Sequence, residues 1–133
     1  MIHSQHSIVD VTLQLLRPRL NIGGGFYPSG LRPLNSQAED CVVGFLSGNA
    51  DQLQEGYVVV NIYIPMLYGT DGNRYHNSDR CLALEQWLSH FPDLVNPVAE
   101  VRYALFGMVR TLAEPPQNQS VVTAQYRFKH LTI

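Results

Sequence analysis

The 133-residue sequence predicts an α+β fold: an antiparallel β-sheet of about four strands with two helices packed on one face, in the order α-β-β-α-β-β. Three observations predict it. Two segments carry apolar residues at helical spacing, other segments alternate apolar and polar residues with period two, and no internal repeat or linker divides the chain. Residues 1–133 are therefore expected to form a single domain, with a flexible Gly/Pro-rich loop at about 21–40.

The first helix is predicted over residues 7–20. Ile8, Val11, Leu15 and Leu16 recur at helical spacing, Ser7 is placed to cap the start, and Asp10 stands where a capping box has its acid. Pro18 ends or kinks the helix near Arg17. The next twenty residues, NIGGGFYPSGLRPLNSQAED, are rich in Gly, Pro, Ser and Asn, which disfavour regular structure. Phe26, Tyr27, Leu31 and Leu34 within them suit a segment that orders against a partner.

Two strands follow, Cys41–Leu46 and Tyr57–Pro65. In the second, Val58, Val60, Ile62 and Ile64 share one face, and Tyr57, Val59, Asn61 and Tyr63 share the other. Tyr68–Asn77 reads as a polar loop with a turn at Asp71-Gly72. A second helix spans Ser78–Phe91, capped by Asn77 or Ser78 and closed by Pro92. Two long strands, Glu100–Ala113 and Ser120–Thr132, flank EPPQNQ and complete the chain. In the last, Val122, Ala124, Tyr126 and Phe128 alternate with polar residues, the pattern of a sheet with one wet face.

Composition narrows the function classes. The charged fraction is 15%, against an average of about 25%, so the surface is more neutral than usual and suits burial against other subunits. Net charge is −2, and no block of Lys or Arg forms a phosphate-binding footprint, which argues against direct nucleic-acid binding. No apolar run is long enough to span a membrane, and MIHSQHSIVD lacks the features of a signal peptide, so synthesis in the cytoplasm is expected. Cys41 and Cys81 lie among apolar neighbours and read as buried free thiols.

Catalytic and cofactor motifs are not found. Gly23–Gly25 has no strand before it and no lysine after it, and HExxH, CxxC and GxSxG do not occur. The best polar constellation is Asp71, His76, Asp79 and Glu85, which allows an alternative reading as a small metal-dependent hydrolase using His76 with Asp71 or Asp79. Asp71 is explained by its turn, and Asp79 by the helix dipole. His3 and His6 stand near the terminus, and His90 complements a helix end. No enzyme activity, cofactor or metal is expected.

The element order and the segment Gly56-Tyr-Val-Val-Val-Asn-Ile-Tyr-Ile-Pro65 resemble the tail-completion (tail-terminator, head–tail joining) proteins of tailed bacteriophages and prophages. Such proteins open with a helix, present a tyrosine–proline loop, here Tyr27-Pro28, and close with a helix and a β-hairpin. The 21–40 loop is longer than the common pattern. The resemblance implies a virion protein, made in the host bacterial cytoplasm, that forms a ring with itself, usually a hexamer. It implies tail-tube and head-connector proteins as partners, with no cofactor. Phe26, Tyr27, Leu31, Tyr68, Arg74 and Tyr75 in the two aromatic-bearing loops are the interface candidates. A module that binds peptides by adding a strand is a further alternative.

Overall fold

Strict alternation along EGYVVVNIYIP makes this segment the middle strand of the sheet. Val58, Val60, Ile62 and Ile64 are at most 1% exposed, whereas Tyr57, Val59, Asn61 and Tyr63 on the opposite side are half-buried. The computed structural model describes residues 5–48, 55–114 and 118–130. Along the chain these form α1 (Gln5–Leu16), β1 (Phe26–Pro28), β2 (Cys41–Gly48), β3 (Glu55–Pro65), β4 (Leu67–Tyr68), β5 (Arg74–Tyr75), α2 (Ser78–Val95), β6 (Val101–Glu114) and β7 (Gln119–His130).

The architecture is α+β, but its sheet is mixed and five-stranded, in the order β1-β2-β3-β7-β6. The sequence-based expectation of an antiparallel four-stranded sheet in the order α-β-β-α-β-β missed β1, which runs parallel to β2 with Phe26 opposite Cys41 and Pro28 opposite Val43. Three residues are too few to display a period. What holds them is external: Cys41 N–H donates to Gly25 C=O and Ser29 N–H donates to Val43 C=O, both at 2.9 Å, while Phe26 packs against the core. The polar loop after β3 likewise contains a small ribbon, β4 paired with β5.

Both helices lie on the sheet face that carries Val60, Ile62, Tyr126 and Phe128, and together they enclose the core. The first helix ends at Leu16 rather than residue 20, because Pro18 brings no N–H to continue it. Ser7 lies inside α1 rather than at its cap. Thr12, fully buried on α1, donates to Ile8 C=O at 2.8 Å, which leaves the Tyr103 hydroxyl to donate to Thr12 Oγ1 at 2.8 Å. That contact ties α1 to β6.

The second helix runs through Pro92 to Val95, so the expected stop at Phe91 is corrected. Pro92 withdraws the N–H that would bond Leu88 C=O four residues back. Tyr126 Oη replaces it, donating to that carbonyl at 2.5 Å. Asn77 caps the start, its side chain accepting from Arg80 N–H at 3.4 Å.

In the closing hairpin, β6 and β7 stay in register from Val101–His130 to Phe106–Gln125 and resume at Arg110–Thr123. Four steps along β6 match two along β7, so β6 carries a bulge of two extra residues around Gly107, whose φ is +75°. The double proline of the turn and the predicted last residues of β7 lie outside the described residues.

Candidate functional site

The segment from 29 to 40 is fixed across one end of the helix-free sheet face by a single buried carboxylate. Asp40, 1% exposed, accepts from Gly25 N–H at 2.8 Å, Arg32 Nε at 2.9 Å and Ser36 Oγ at 2.6 Å. Burial pushes the Asp40 carboxyl up, but the Ser36 hydroxyl, the Gly25 amide and the Arg32 guanidinium together outweigh it and hold it below the usual range. Arg32 then stacks on Tyr63, its Cζ 3.9 Å from the ring centroid, and donates to Gln119 Oε1 at 3.2 Å. Gln119 is fully buried and returns a hydrogen bond to Ser36 C=O at 3.1 Å. A second tie runs from Arg80 to Glu39, Nε to Oε2 at 3.0 Å, and from Arg80 Nη2 to Asn21 C=O at 2.8 Å. None of these long-range pairs has a local sequence signal.

The polar constellation chosen from sequence is taken apart by the fold. Asp71 accepts from Asn73 N–H at 2.9 Å and from the Tyr75 hydroxyl, and these bonds keep its carboxyl below the ordinary value, the Tyr75 contact most of all. His76 Nδ1 instead hydrogen-bonds Ser120 Oγ, and Glu85 accepts from Thr111 Oγ1. Asp79 sits exposed in the first turn of α2. Among the described residues no three His, Cys, Asp or Glu side chains converge where a metal could be held. His76, Ser78, Cys81, Leu82, Glu85 and Thr111 do line a shallow cleft of about 410 Å³. The Cys81 thiol in this cleft, like that of Cys41, is free and buried. Burial raises both, Cys41 to about 12, so both stay protonated and poorly nucleophilic near neutrality. His3 and the side chain of His6 lie outside the described residues.

The interface candidates divide between two places. Tyr68, Arg74 and Tyr75 sit on the β4–β5 ribbon, where Arg74 donates to the Tyr68 hydroxyl with its Cζ 4.1 Å from that ring's centroid. Tyr68 and Tyr75 remain 70% and 49% exposed. Phe26 packs inward against the core and Tyr27 is half-buried on β1, while Leu31 is 67% exposed. Leu31 edges a cleft of about 480 Å³ formed with Val9, Asp10, Val43 and Phe45 between α1 and β2.

Sequence reasoning missed the other end of the open sheet face. Tyr57 and Phe106 meet there edge to face, centroids 4.9 Å apart, and Phe106 is 52% exposed. The β6 bulge raises Met108, 79% exposed, so that Phe106, Met108 and Arg110 rim a depression of about 330 Å³ floored by Thr123 and Gln125. Arg102, Arg110, Arg127 and Lys129 all fall on this face, four of the nine Lys and Arg residues of the chain. The alternation of β7 signalled its part of the face; the bulge, which brings in Met108 and Arg110, has only Gly107 as a signal. The chain matches no known family model and no curated protein.

The sheet edges are less open than its face. The Asn96 side chain lies beside β6 like a strand, accepting from Tyr103 N–H at 2.8 Å and donating to Tyr103 C=O at 2.9 Å. The bulge at Gly107 then interrupts the edge, which runs straight again only from Arg110 to Glu114. The opposite edge is the three-residue β1. Among the described residues no helix is long and apolar enough to cross a membrane.

Proposed function

We propose that this chain is a structural virion subunit of the tail-completion kind, one that joins copies of itself in a ring, caps the tail tube of a tailed phage or prophage, and docks it to the head connector. One observation carries this reading. The sheet built around GYVVVNIYIP packs two helices on one face and leaves on the other a surface where Phe106, Met108 and Arg110 stand around Thr123 and Gln125. Contiguous exposed apolar groups of this kind mark a surface that is completed by another molecule. A ring needs a heterologous contact repeated between identical subunits, and a domain with two unlike sides supplies it. No catalytic step and no cofactor enters this function, and its place of action is the assembled virion.

Tail-tube protein polymerised with and without this chain tests the reading. Electron microscopy is expected to find the chain as a ring at tube ends, with elongation arrested. Tubes that lengthen unchecked, with nothing bound at their ends, would sink it.

A further inference from the structure

The two sides of the domain carry complementary charge at matching spacing. On the open sheet face, the side chains of Arg110 and Lys129 have no ion-pair or hydrogen-bond partner among the described residues, although Lys129 stands opposite Glu55 in the register. Arg127 has only a loose contact to the exposed Glu55 at 3.6 Å, and Arg102 turns back to Ala99 C=O at 3.0 Å. Arg110 stands level with Thr123 in the register, six residues along β7 from Lys129. At about 3.3 Å per residue the two cations lie about 20 Å apart along the strands. Between them sit the Phe106–Tyr57 pair and the depression at the bulge.

The outer face of α2 carries the opposite pattern. Cys81, Leu84, Leu88, Phe91 and Val95 face the core, which turns Asp79, Leu82, Gln86 and Asp93 toward solvent. Asp79 is without a partner among the described residues, and Asp93 has only a 3.9 Å contact to exposed His90. Fourteen residues at about 1.5 Å each separate Asp79 from Asp93 by about 21 Å. Leu82 and Leu94, 54% and 46% exposed, lie beside them. One side of the domain thus sets Phe106 and Tyr57 between two cations, with Gln125 and Arg127 beside them, and the other sets Leu82 between two carboxylates, with Gln86, Ser89 and His90 beside it and Leu94 just past Asp93; the two spans are equal.

We infer that the α2 outer face of one copy docks on the open sheet face of the next, Asp79 and Asp93 meeting Arg110 and Lys129 while Leu82 or Leu94 enters the depression beside Phe106 and Met108. The occupant of the sheet face is therefore a second copy of this chain. This rests on the ring reading and assigns it an interface. Because the two patches differ and lie on opposite sides of the sheet, the contact is heterologous and repeats from copy to copy.

Charge reversal tests it. Sedimentation velocity on the full chain compares wild type with a sheet-face variant, Arg110→Glu with Lys129→Glu, and a helix-face variant, Asp79→Lys with Asp93→Lys. All four positions are exposed, and circular dichroism checks the fold of each variant. Each variant alone opposes like charges and is expected to self-associate on the order of a hundredfold more weakly than wild type. An equimolar mixture makes every contact complementary again, and assembly is expected to return. Wild-type assembly that survives either reversal, or a mixture that stays monomeric, overturns the interface and leaves the ring reading standing. A wild type that is monomeric at every concentration and absent from tube ends overturns both.

Discussion

Tyr126 stands in for the backbone N–H that Pro92 lacks. Its phenol, carried on β7, donates to Leu88 C=O at 2.5 Å, the acceptor that an ordinary residue at position 92 would satisfy from within α2. Both residues are buried, so the carbonyl has no water to turn to. A side chain of the sheet thereby lets the helix run on to Val95, and Phe91, whose ring lies 5.4 Å from that of Tyr126, stays in the core.

Removing that donor exposes the dependence. Tyr126→Phe leaves a buried carbonyl unsatisfied and is expected to cost about 1–3 kcal/mol in denaturant unfolding. Pro92→Ala restores an N–H, so it is expected to recover stability in the Tyr126→Phe background by more than it changes the wild type. A double-mutant cycle should give a coupling on the order of 1 kcal/mol. Additivity within error would show that the two residues do not share Leu88.

The acid limb of stability should trace to Asp40. Its carboxyl is held below the ordinary value in the folded chain, so its contribution is fully present above about pH 4 and is lost as pH falls through the folded value. Asp40→Asn leaves Arg32, 13% exposed, without its counter-charge, and is expected to cost about 3–5 kcal/mol near neutrality. The same change should flatten the acid limb of a plot of unfolding free energy against pH.

Alkaline pH acts through buried phenols. Burial pushes Tyr103 up to about 12, outweighing its bond to Thr12, and pushes Tyr126 higher still. Both raised groups give stability that is fully present below about pH 10 and is lost as pH rises toward the folded values. Ultraviolet difference titration of the seven tyrosines should find two that ionise only as the chain unfolds. Tyr103→Phe should lower that number to one.

Much of the sheet was legible in the sequence, and little of the surface that closes it. The period-two pattern of residues 57–65 and 122–128 placed each side chain on its proper face, since burial enforces alternation over that length. Helix α2 was legible to Phe91, but its last turn depends on Tyr126, far along the chain, and no local rule reads that. Strand β1 was hidden because its stability lies in hydrogen bonds to β2 and in the Asp40 anchor. The tyrosines of the β4–β5 loop stand out in the sequence as aromatics in a polar loop, while Phe106 and Met108 read as ordinary strand residues. Only the register shift after Phe106 sets their side chains around a depression.

Gly107 holds that shift. With φ at +75° and nothing near the position of an added Cβ, Gly107→Ala meets backbone strain alone, and a cost of about 1–2 kcal/mol is expected. Gly107→Asn, which tolerates the left-handed region, should cost less in the same thermal-melt comparison.

Asn96 protects the β6 edge, and its loss should appear as aggregation as well as instability. Its amide satisfies both the N–H and the C=O of Tyr103, at 2.8 and 2.9 Å, on the side of β6 away from β7. Asn96→Ala leaves both groups unpaired in a residue that is 2% exposed, and a cost of about 2–4 kcal/mol is expected for the two. The freed edge also becomes a template for another strand, next to the exposed Leu105 and Phe106. Light scattering, compared at temperatures where the two variants have equal measured unfolding free energy, should therefore rise earlier in Asn96→Ala than in Tyr126→Phe. Equal onset in the two would mean that Asn96 acts only through stability, and that the edge of β6 is guarded elsewhere.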